Sequence, residues 1–84
     1  MKHVSTAGLD ELDGLLLELR RVDGLTEKKR GVFYRGSRAF LHFHEDPSGW
    51  YADIRVDAEF ERMRVTTKAE RKRLLSVARA AVRR

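Results

Sequence analysis

His42, Phe43 and His44 place two imidazoles at i and i+2. In an extended strand that spacing puts both rings on one face. Neutral imidazole binds zinc or copper, and a carboxylate close by would add a third donor. Asp53 supplies one if the chain reverses at Asp46-Pro47-Ser48-Gly49, because the pairing then sets Asp53 opposite His42. The same residues also suit a His–Asp cross-strand hydrogen bond, which needs no ion. That simpler reading leads to no metal and no cofactor being assigned from sequence, with His42, His44 and Asp53 kept as the metal candidates. No catalytic set stands out. Ser37 and Ser48 lie in turns without an orienting base, Glu45 and Asp46 adjoin in one loop, and Gly31, Gly36 and Gly49 fall at turns and strand ends. The chain is read as non-enzymatic.

A second constellation comes from the strand register. Arg35-Gly36-Ser37-Arg38 reads as a tight hairpin turn, and Asp46–Gly49 as a longer one. Closing both turns sets Val32 opposite Leu41, Tyr34 opposite Ala39, Phe43 opposite Ala52 and Leu41 opposite Ile54. Those residues and Val56 form one apolar face. The opposite face then carries Phe33, Arg35, Arg38, Phe40, His42, His44, Tyr51, Asp53 and Arg55. Flat rings beside guanidinium groups on an open sheet can stack bases and hold phosphates. They can also be the surface that a second copy of the chain covers, since uncovered apolar patches mark interfaces. Phe33, Arg35, Arg38, Phe40, Tyr51 and Arg55 are therefore the expected stacking or dimer face.

The elements that must position these groups follow from periodicity. Leu9, Leu12, Leu16 and Leu19 recur at helical spacing, and Ser5 or Thr6 can cap a helix that ends before Asp23-Gly24. Thr26–Arg30 reads as a basic connector. Strands follow near 31–35, 38–44 and 50–56, with a weaker one near 60–65. Thr67-Lys68-Ala69-Glu70 is a capping box that opens a last helix with an apolar stripe at Leu74, Leu75, Ala78, Ala81 and Val82. Two amphipathic helices can cover one face of the meander, which gives a two-layer α+β sandwich in one domain spanning 1–84. The expected core is Leu12, Leu16, Val32, Leu41, Phe43, Ile54, Val56, Leu74 and Ala78.

The net charge of +5 is unevenly spread. Residues 1–58 hold nine Lys/Arg and ten Asp/Glu, whereas residues 59–84 hold nine and three. Such asymmetry bears on association with polyanions. Lys68, Lys72, Arg79 and Arg83 fall within about a 60° arc of the last helix. With Arg62 and Arg64 they form the expected nucleic-acid-binding set, and a solvated helix face is the alternative reading. The absence of cysteine excludes disulfides and thiolate metal sites. No apolar run suits a signal peptide or a membrane span, so a cytoplasmic protein without membrane association is expected.

Leu25-Thr26-Glu27-Lys28, Val32–Phe40 and Trp50–Val56 together resemble the MmcQ/YjbR-like family over roughly residues 9–57. The resemblance implies a compact α+β domain of the secretion-chaperone-like kind and a DNA-binding label, and it brings no catalytic residue. The expected function is thus a small non-enzymatic domain with weak electrostatic DNA binding. A homodimeric protein-interaction or chaperone-like module is the alternative.

Overall fold

The computed structural model describes all 84 residues. The element order is β1 (Lys2–His3), α1 (Thr6–Glu11), α2 (Asp13–Arg20), β2 (Leu25–Lys29), β3 (Val32–Arg35), β4 (Arg38–Asp46), β5 (Gly49–Arg55), β6 (Phe60–Arg64) and α3 (Lys68–Val82). Strands β2 to β6 form one antiparallel meander in sequence order, and β1 adds to β4 beside it. The helices cover one sheet face, as the amphipathic stripes require.

Local signals set the helix ends. Ser5 caps α1, its side chain accepting the Gly8 N–H at 3.1 Å. Glu45 accepts the Ser5 N–H at 2.6 Å, which ties the helix start to β4. Gly8 is needed for a close approach, since a Cβ there would meet Val4 Cγ2 at 2.6 Å and Trp50 Nε1 at 2.8 Å. At the other end, Thr67 and Glu70 form the full reciprocal capping box of α3. The α3 C-terminus is closed by Arg35, which donates to the carbonyls of Ala81, Val82 and Arg84 at 2.9, 3.2 and 2.7 Å. A guanidinium suits the negative end of a helix.

The core joins Leu12, Leu15, Leu16 and Leu19 to Leu74, Leu75, Ala78 and Ala81 over the sheet residues Phe33, Phe40, Leu41, Phe43, Ala52 and Ile54. Between β4 and β5 the register is the expected one, with Leu41 opposite Ile54, His42 opposite Asp53 and Phe43 opposite Ala52. Both expected turns close as read, at Arg35–Arg38 and Asp46–Gly49.

Between β3 and β4 the expectation fails. Phe33, not Val32, pairs with Leu41, while Tyr34 still pairs with Ala39, so Phe40 is an extra residue in β4. This bulge reverses the faces on its hairpin side. Phe33 and Phe40 become fully buried, and Val32 is only half-buried and lies outside the core. The physical reason is size. Burying a Phe is worth about 1.5–3 kcal/mol, so placing two of them inward outweighs the Val and Ala that regular pairing would bury.

Thr26–Arg30 is also corrected. Most of it is the edge strand β2 rather than a connector. Its lysines suit an edge, where charge blocks pairing with another chain.

Candidate functional site

The outer sheet face, away from the helices, gathers the polar chemistry of the chain. His42 and His44 project from β4 and face Asp53 on β5. His42 Nε2 lies 3.5 Å and His44 Nε2 3.1 Å from the same oxygen, Asp53 Oδ2. One donor atom from each of the three residues lies within 4.8 Å of the other two. The flanking rings come from two other strands. His3 on β1 pairs with His44 and stacks on it at 5.5 Å between centroids. Phe60 on β6 meets His42 edge-on at 5.2 Å.

The hydrogen bonds do not follow the His–Asp expectation. Both Asp53 oxygens accept from Arg62, at 2.8 Å from Nε and 2.9 Å from Nη2. His44 keeps both ring nitrogens buried with no hydrogen-bond partner, although Oδ2 is within range. A buried polar group left in that state costs about 1–3 kcal/mol. The Arg62 guanidinium holds the Asp53 carboxyl below its ordinary range. Burial, then the neighbouring His44, lowers the proton affinity of His42. The site therefore combines an ionised carboxylate with an imidazole held toward its neutral form.

The expected stacking face is not assembled. Phe33 and Phe40 lie in the core under the helices. Arg35 is spent on the α3 carbonyls, and Arg55 donates to Ala39 O and Ala58 O, both at 2.9 Å. Tyr51 is half-buried and hydrogen-bonded to Ser48 at 2.7 Å, and Arg38 is exposed in the turn. The apolar reason for a second copy of the chain on this face goes with the two phenylalanines. The large hydrophobic side chains left exposed are Met1, Leu17 and Phe60.

The expected nucleic-acid set divides in two. Arg62, Arg64 and Arg79 pair with Asp53, Glu70 and Glu18. Lys68 and Lys72 on α3 and Arg83 at its C-cap are exposed and form no ion pair. Arg73, which the stripe omits, is equally exposed and joins Arg62, Arg64 and Glu70 around a shallow hollow of about 310 Å³. It sits about 100° round the helix from Lys72, on the β6 side. Arg71 has a third use. It donates to Val65 O at 2.8 Å and Thr66 O at 3.0 Å, fastening α3 to the end of β6. Four of the arginines, Arg35, Arg55, Arg64 and Arg71, thus serve the fold by donating to backbone carbonyls.

His3 and Phe60 escaped sequence reading. A two-residue strand carries no periodicity, so only the pairing of β1 with β4 places His3. Phe60 heads a strand whose other residues, Met63 apart, are charged: Glu61, Arg62 and Arg64. No helix is long and apolar enough to cross a membrane. The chain matches no family model, no curated protein and no solved structure.

Proposed function

We propose that this domain is a polyanion-binding module that docks on nucleic-acid phosphates through the outer flank of α3. The observation that supports it is the row Lys68, Lys72 and Arg83, exposed and without acidic partners. Each remains available to a phosphate, and the adjoining Arg73 widens the positive surface. Arg62, Arg64 and Arg79 add long-range field but are tied to carboxylates.

The row offers no groove-reading geometry. Its side chains are long, flexible and set along one helix flank, so contacts go to the backbone and not to base edges. Binding should be weak, insensitive to sequence and strongly dependent on salt. Fluorescence anisotropy with labelled duplexes of two unrelated sequences tests this. Affinity should fall with a log–log salt slope of about −0.9 per neutralised phosphate. Lys72→Glu with Arg83→Glu should weaken both duplexes alike. Tight binding that persists in high salt and separates the two sequences would overturn the reading. So would the absence of binding at low salt.

A further inference from the structure

We propose that His42, His44 and Asp53 form a binding site for a divalent transition-metal ion, with zinc as the ion that fits the donor set. The site lies on the outer sheet face, independent of the α3 row.

Two of the three donor spacings match coordination, and the widest, up to 4.8 Å, would close as the ion binds. Zinc holds imidazole nitrogen and carboxylate oxygen at about 2.0–2.1 Å in a tetrahedron, which spaces the donors about 3.3 Å apart. His42 Nε2 and His44 Nε2 lie 3.5 and 3.1 Å from Asp53 Oδ2. Two nitrogens thus converge on one oxygen at ligand-to-ligand spacing. Hydrogen bonding leaves that convergence unexplained, because the hydrogen bonds of Asp53 come from Arg62 and those of His44 are missing. An ion would satisfy His44 Nε2 directly and leave only Nδ1 without a partner.

The surroundings resemble those of a coordinated carboxylate. Arg62 grips Asp53 from one side and fixes its orientation, as outer partners of metal ligands do. An ionised carboxylate has about four acceptor directions, so Oδ2 keeps one free for the ion. The positive charge of Arg62 opposes a dication and lowers the expected affinity. Three protein donors leave one tetrahedral position for water. The His42 side chain is 29% exposed, which gives an ion a way in without unfolding the sheet.

Isothermal titration of the full chain with zinc, together with thermal melts, tests the assignment. One zinc should bind per chain with micromolar affinity and raise the melting temperature. His42→Ala and His44→Ala should each cost at least the about 10–100-fold that loss of an outer partner costs. Asp53→Asn should weaken binding in the same direction. Circular dichroism checks that the variants fold, and the more exposed His42→Ala keeps the test open if His44→Ala does not. Absence of saturable binding at micromolar zinc would overturn the proposal. Undiminished binding by folded His42→Ala would do so too, since the ion would then sit elsewhere.

Discussion

Two hairpins share β4, and they differ by one residue. From Leu41 to Asp46 the pairing with β5 runs without interruption. From Arg38 to Leu41 the pairing with β3 skips Phe40. On the regular side, alternation sorts the side chains cleanly, with Leu41 and Phe43 inward and His42 and His44 outward. On the bulged side, the extra residue turns Phe40 and Phe33 into the core. A period-two pattern therefore predicts faces only as far as the next bulge, and the apolar volume available on each side decides where the bulge falls.

The largest test of the comparison is truncation of the bulge phenylalanine. Phe40→Ala should cost about 3–5 kcal/mol, and Phe33→Ala about as much. That is comparable with the whole stability of a domain this small, about 0.05–0.15 kcal/mol per residue. Urea denaturation measures it. A loss within about 0.5 kcal/mol, the usual result on a surface, would return Phe40 to the outer face and restore the regular pairing.

Next in size is Arg35, the inward neighbour of Phe33 on the bulged side. Regular alternation puts its guanidinium on the outer face, whereas the structure sends it to three carbonyls at the α3 C-terminus. Hydrogen bonds from a charged donor are worth about 1.5–3 kcal/mol. Arg35→Met keeps most of the packing and removes the donors, so it should cost a similar amount in the same denaturation experiment. A neutral result would mean that α3 needs no such closure.

The legible parts of the molecule share a physical reason. The capping box at Thr67–Glu70, the Asp46–Gly49 turn and the Leu41–Ile54 and His42–Asp53 pairings are local or follow from one turn. The two-layer α+β architecture follows from two apolar helical stripes and one apolar strand face. The bulge at Phe40 was hidden because its cause is the competition between Phe33 and Val32 for the core, which no local pattern encodes. The edge strand Leu25–Lys29 was hidden because edge strands carry charge. Of the candidate site, His42, His44 and Asp53 were legible from spacing, but the capture of Asp53 by Arg62 required β6 to be placed. With both Asp53 oxygens taken by Arg62 and no hydrogen bond made by His44, the three residues are proposed as a donor set.

A pH titration of stability sharpens the regular side of the comparison. Burial and His44 lower the proton affinity of His42 in the folded state. The unfolded chain then binds the proton more readily, so the stability from His42 is complete above about pH 6.5 and is lost as pH falls through the lower folded value. The Arg62 hydrogen bonds lower Asp53 in the same sense. Its stability is complete above about pH 3.9 and is lost in stronger acid. Urea midpoints should therefore decline in two stages on acidification. In His42→Ala the first stage should shrink while the second remains. Stability that rises between pH 6.5 and 5 would contradict a buried, neutral His42.

The smallest effect is expected at Phe60, the aromatic on the outer face that regular alternation did not place. It is 38% exposed, and its ring lies 4.4 Å beneath the Arg55 guanidinium. An exposed cation–π contact is worth about 0.5–1 kcal/mol, so Phe60→Ala should cost about that, several-fold less than Phe40→Ala. The substitution should act more clearly on its neighbour. Phe60 meets His42 edge-on and shields it, and burial is the main cause of the low proton affinity of His42. Removing the ring admits water, so the His42 titration followed by NMR should move up toward its ordinary value. An unchanged titration would assign the shielding to the sheet and to His44 instead. A stability loss as large as that of Phe40→Ala would show that the outer face is packed like the inner one, which would end the distinction between the two.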